Sequence, residues 1–195
     1  MRRTLSLLAL VLTFCALSSV ATAAPTVFTT VLSGANEVPA NASAGTGIAF
    51  VSLDGNVLFV TVTFSGLTGN TTASHIHCCS PPGVNAGVAT AVPTFPGFPL
   101  GVTSGTYTNS FDLTLASSYN PAFITANGGT VAGAQAAFTA GLNAGLTYFN
   151  IHTNIFPGGE IRGQLQAVPE PATLILLGIG IAGGAGRALR RRRSG

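Results

Sequence analysis

Hydrophobic positions along the chain fall into three regimes. At the start, Arg2 and Arg3 precede an apolar stretch from Leu5 to Leu17, which gives way to small residues ending Ala21-Thr22-Ala23. At the far end, an apolar run from Ala172 to Ala185 is followed by Gly186-Arg187-Ala188-Leu189 and then Arg190, Arg191, Arg192 and Arg193. Between these ends, apolar residues no longer run together. They alternate with Thr, Ser and Asn, and Gly, Pro or Asn interrupts them every few positions. Alternation with period two is the signature of half-buried strands. It predicts strands over Val27–Leu32, Gly47–Leu53, Val57–Phe64, Ser74–His77, Gly87–Val92, Thr106–Leu115, Leu146–His152 and Glu160–Leu165. Asp54-Gly55 between two of these runs is a hairpin signal. One segment has a different period: Val131, Ala134, Phe138 and Leu142 recur at helical spacing and predict a helix from Thr130 to Leu142. A shorter turn is expected over Ser117–Ile124, limited by Pro121.

Eight short strands and one inserted helix predict an all-β domain over 25–167, a Greek-key or immunoglobulin-like sandwich or a barrel. The N-terminal pattern is that of a secretory signal peptide over 1–23, cut after Ala23 or Ala24. Its apolar part falls well short of the about 20 residues a spanning helix needs, which weighs against an uncleaved anchor. The C-terminal run predicts a short hydrophobic membrane helix over 172–189. The arginines behind it would stay in the cytoplasm and leave everything before them outside. A permanent tail anchor is the alternative to a processed signal.

Charge sharpens this division. The chain has 195 residues and a formal net charge of +3, but the arginines sit at its extremes. The body holds one base, Arg162, against the four acids Glu37, Asp54, Asp112 and Glu160. So few cations cannot neutralise several phosphates, and nucleic-acid binding is excluded. The mean hydropathy of +0.52 excludes a disordered polar chain.

All the histidines lie in two places. His75-Ile76-His77 puts two imidazoles on one face of a strand, and His152 closes another predicted strand. If those strands are neighbours, three neutral nitrogens converge in a set that suits Cu²⁺ or Zn²⁺. The competing reading is a hydrogen-bonded cluster in which each ring anchors a loop. Cys78 and Cys79 follow directly. Outside the cytoplasm they predict a vicinal disulfide, with thiolate ligation beside His77 or pairing between chains as alternatives. Glu37, Glu160 and Arg162 are expected to form a structural salt bridge, because a buried lone cation demands a carboxylate. Asp54 and Asp112 read as turn and strand-surface residues. No nucleophile with an adjacent base is visible, so an enzymatic role lacks support.

Three resemblances follow from these residues. Pro169-Glu170-Pro171, the short apolar segment and Arg190 to Arg193 resemble a PEP-CTERM sorting signal over 168–195. That likeness implies a Gram-negative bacterium, signal peptidase and exosortase as processing partners, and transient anchoring in the inner membrane. Its destination would be the periplasm, the cell surface or an exopolysaccharide matrix, with exopolysaccharide or surface proteins as partners. Gly34-Ala35-Asn36-Glu37-Val38-Pro39, Ala73-Ser74-His75-Ile76-His77, Tyr148 to Thr153 and Pro157 to Leu165 resemble the CHRD domain. This likeness implies a secreted module without an assigned activity; in chordin the domain belongs to a protein that binds growth factors. The departure is at Cys78-Cys79, where the family usually has Gly-Pro or similar. A fainter similarity to Cu/Zn superoxide dismutase maps its copper-ligand pattern onto His75, His77 and His152. The dismutase's bridging histidine and zinc-loop ligands have no counterpart here. The expectation is therefore a non-enzymatic exported β module, with a mononuclear copper or zinc protein, an oxidoreductase among its readings, as the alternative.

Overall fold

The computed structural model describes residues 24–169. The expected signal peptide over 1–23, the expected membrane segment 172–189, and Glu170, Pro171 and Arg190 to Arg193 of the sorting signal lie outside them. Among the described residues no helix is long and apolar enough to cross a membrane.

Eight strands form one antiparallel sheet. They are β1 (Thr26–Ser33), β2 (Thr46–Asp54), β3 (Val57–Ser65), β4 (Thr71–Cys78), β5 (Gly105–Asp112), β6 (Thr147–Thr153), β7 (Ile161–Gln164) and the short β8 (Gln166–Ala167). Their order across the sheet is β4-β6-β7-β1-β2-β3-β5, with β8 paired to β1. The all-β class and the inserted helix hold. Of the sandwich and barrel forms, the sheet lies on the barrel side, curled but open between β4 and β5. The hairpin from β2 to β3 turns through Gly55 and Asn56, with Gly55 at φ +55°, a conformation glycine adopts without a Cβ clash.

Alternation places Phe28, Leu32, Val51, Val60, Val62, Phe149 and Ile151 on the inner face, where each is buried. The helix α2 (Val131–Asn143) closes that face with Ala134, Phe138 and Leu142, the residues whose spacing announced it. Its start is set by Thr130, whose hydroxyl oxygen accepts from the Gly133 amide at 3.1 Å. The expected turn resolves into a 3₁₀ turn at Ala116–Ser118 and a separate helix α1 (Pro121–Ala126). Pro121 starts that helix instead of limiting it, because the first helical position needs no amide proton.

Two strand expectations need correcting. Gly87–Val92 does not form a strand; it makes only isolated bridges, His77 with Val88 and Thr90 with Tyr119. The amides of Ala89 and Thr90 both donate to the Ile76 carbonyl, so no alternating ladder can develop. Thr106–Leu115 stops at Asp112, where the carboxylate accepts from both the amide and the hydroxyl of Thr114. That local turn competes with the ladder and ends it.

Candidate metal centre

The half of the sheet made by β4, β6 and β7 carries polar side chains on its second face. Along β4, Ile76 points into the core while His75 and His77 point away from it; along β6, Tyr148, Asn150 and His152 share that outward parity. Antiparallel pairing sets His77 opposite Tyr148, His75 opposite Asn150, and Ala73 opposite His152. The expectation that the two histidine strands are neighbours holds.

Loops cover this face and fix the three rings through backbone carbonyls. The Pro93 carbonyl accepts from His75 Nε2 at 2.7 Å, that of Ala86 from His77 Nδ1 at 2.9 Å, and that of Pro157 from His152 Nδ1 at 3.0 Å. A carbonyl has no proton to give, so each anchored nitrogen carries the ring's hydrogen. The opposite nitrogen then presents a lone pair. Those opposite atoms, His75 Nδ1, His77 Nε2 and His152 Nε2, are buried and have no hydrogen-bond partner. One ligating nitrogen from each ring lies within 4.8 Å of the others. Burial lowers the pKa of His75 and of His77 to about 4, against the raising effect of the carbonyl bonds, and burial lowers that of His152 as well. At neutral pH the three rings are uncharged, and each brings one buried, unpartnered nitrogen to the cluster.

The cysteines stand apart from this cluster. Cys78 Sγ and Cys79 Sγ are joined as a disulfide. Cys78 has the core-facing parity, opposite to His77, so strand alternation alone removes it as a ligand. Both sulfurs press on α2 at Gly141, where a Cβ would stand 2.5 and 2.6 Å from them.

The expected group of Glu37, Glu160 and Arg162 separates into two. Arg162 lies opposite Asn150 on β7. Its Nε is 3.9 Å from Glu37 Oε2 and donates to the Asn36 carbonyl at 2.6 Å, while Nη1 donates to Asn85 Oδ1 at 2.7 Å. The guanidinium sits 4.5 Å over the Tyr148 ring, whose other face stacks on His77 at 4.6 Å. Arginine, tyrosine and histidine thus form one column beside the triad. Glu160 takes no part in the ion pair. It precedes β7, and its carboxylate accepts from Ser43 Oγ, Thr68 N, Gly69 N and Thr153 Oγ1. Burial would raise its pKa, but those four bonds outweigh it and hold the carboxyl below its ordinary value.

Glu37 behaves in the opposite sense. Burial raises its pKa to about 7, opposed by Arg162 and by hydrogen bonds from Asn150 and the Val38 backbone. Between pH 4.5 and 7 the folded chain keeps a proton that the unfolded chain has released, so this group loses stability as pH rises through that window. Glu37→Gln is therefore expected to gain stability relative to the parent on going from pH 5 to pH 8, read as the difference between their urea midpoints. A difference that stays constant with pH would contradict this.

Asn36, Asn85, Asn150 and Tyr148 were not singled out from the sequence. Asn150 and Tyr148 were within reach there, because Tyr148, Asn150 and His152 share one period-two face.

A family model described as the CHRD domain matches residues 28–165, and one for the PEP-CTERM protein-sorting motif matches 167–193. No curated protein and no solved structure matches the chain at a significant level. The sorting motif marks an exported, surface-directed protein that an exosortase processes and that is held only transiently at the membrane. Spanning nearly the whole of the described sheet, the first match makes this chain a member of the CHRD domain family.

Proposed function

We propose that this exported domain binds one Cu²⁺ or Zn²⁺ ion through His75, His77 and His152, as a non-enzymatic module of the cell surface or exopolysaccharide matrix of a Gram-negative bacterium. One observation carries the reading: three buried ring nitrogens without partners face one another. Buried polar atoms are normally paired, and three convergent lone pairs repel unless a cation lies between them. The remaining nitrogens are held by carbonyls, the arrangement that orients imidazole ligands and fixes their tautomer at metal sites. Three neutral imidazoles suit copper and zinc better than the hard cations. Three nitrogens about 2.1 Å from a shared ion would draw closer than their present spacing of up to 4.8 Å and would leave a position for water.

The surface role rests on a different property. With one arginine and four carboxylates in its body, the domain offers neighbours a nearly uncharged surface of Thr, Ser and Asn.

Metal analysis of the processed protein, purified without chelators, tests the ion. The expected result is about one copper or zinc per chain, and almost none after His75→Ala with His77→Ala. Metal-free protein whose melting temperature ignores both added ions would remove the proposal. Mass spectrometry of the cell-associated form tests the address, with the chain expected to end near Glu170.

A further inference from the structure

The other half of the sheet leaves its second face bare. Where β4, β6 and β7 are covered by loops, no described element packs on the outward side of β1, β2, β3 and β5. Apart from Asp54 and Asp112 in its end row, that side carries no charge. Val31, Ile48, Phe50 and Phe59 project from it and are 64%, 41%, 47% and 49% exposed. The register aligns its residues in rows across four strands: Val31, Ile48, Thr63 and Thr106 in one, and Thr29, Phe50, Thr61 and Thr108 in the next. The nearest carboxylates, Asp54 and Asp112, flank Val57 at the hairpin end.

We infer that this face is an interface with a second copy of the same chain. Exposed apolar surface of this extent marks an interaction site. Four strands about 4.8 Å apart and five rows about 6.8 Å apart give a platform of roughly 600 Å² in projection. Its accessible area then approaches the about 800 Å² per partner that a stable interface buries. Stacked head to tail, two copies set the Asp54–Val57–Asp112 row of each against the uncharged Ser33–Thr46–Ser65 row of the other, so a like partner meets this face without opposing its carboxylates. Desolvation is modest too, because the outward threonines are already paired, Thr61 with Thr108 and Thr63 with Thr106, each at 3.2 Å. A sugar-binding platform of this size would need amide or charged side chains to read hydroxyls, and the rows offer only Asp54 and Asp112, both at one end. Two such sheets stacked about 10 Å apart make a sandwich, in which a single open sheet gains the second layer it lacks.

The interface does not depend on the metal, so either reading can fail alone. The test uses the full chain exported by its host, with Thr61→Cys at the centre of the face and a short bis-maleimide added to intact cells. A band at twice the chain mass is expected, at least ten-fold stronger than with Val84→Cys, which lies in a loop outside this face. Adding Phe59→Asp to the Thr61→Cys protein should abolish that band while leaving export and the melting temperature unchanged. No band from Thr61→Cys, an equal band from Val84→Cys, or persistence of the band with Phe59→Asp would each overturn the inference. So would capture of Thr61→Cys in a conjugate with a different, thiol-bearing protein.

Discussion

Glu160→Ala is expected to destabilise the domain by about 3–5 kcal/mol, because four neutral donors lose their acceptor together. The side chain is fully buried. Its two carboxylate oxygens tie three separated stretches together: Ser43 after β1, Thr68 and Gly69 between β3 and β4, and Thr153 at the end of β6. Alanine removes every acceptor at once and leaves two backbone amides and two hydroxyls without the carboxylate they donate to. Each unsatisfied donor costs about 1–3 kcal/mol, relieved where water can enter. For a domain of this size the loss corresponds to a melting temperature lower by roughly 10–15 °C. Calorimetry of parent and variant at pH 7 decides it, and a fall of less than about 3 °C would show that the four contacts contribute little. The same carboxylate gives a signed pH effect. Its folded pKa lies below the unfolded value, so its contribution is complete above about pH 4.5 and is lost as pH falls further. Glu160→Ala should therefore differ from the parent most at neutral pH and least in acid.

What the sequence made legible follows from what side-chain periodicity can encode. Strands with a buried inner face, such as Val57–Phe64, announce themselves because every second residue must enter the core. The helix did so because Ala134, Phe138 and Leu142 must meet the sheet. The segment 87–92 misled because it lies along β4 and meets it only at isolated bridges, not in a continuous ladder. Glu160 and Arg162 are two residues apart, and period two would put them on one face. The rule fails because β7 begins only at Ile161, so Glu160 belongs to the preceding turn and is captured by the Thr68 and Gly69 amides. The histidine triad was legible as residue types, but its anchoring was not. The atoms that orient the rings are the carbonyls of Pro93, Ala86 and Pro157, and a backbone carbonyl leaves no mark on sequence. Strand order was equally hidden, since alternation tells a strand which face is buried but not which strand lies beside it.

Metal affinity should fall by at least about 100-fold in His77→Ala, because even the partners behind a ligand are worth 10–100-fold and here a donor itself is lost. In the parent, Zn²⁺ or Cu²⁺ at a thousand times its dissociation constant should add about 4 kcal/mol of stability, and the variant should lose that increment. The alternative, a triad that only anchors loops, predicts a different pattern: His77→Ala would lower stability equally with and without added metal. Acidity separates the two further. Protons compete for a ligand only near its pKa, and burial has moved His75 and His77 from 6.5 to about 4. A metal held by these rings should therefore remain bound on dialysis at pH 5.5, where exposed histidines would be mostly protonated and would release it. Without metal the same depression makes the domain acid-sensitive. Between pH 6.5 and 4 the unfolded chain takes up protons that the folded rings refuse, at a cost reaching roughly 3 kcal/mol per ring. Apo protein should thus unfold on acidification well before holo protein does. Identical acid midpoints for the two forms would mean that no ion sits between these nitrogens, because an ion bound there must stabilise the neutral rings against protonation.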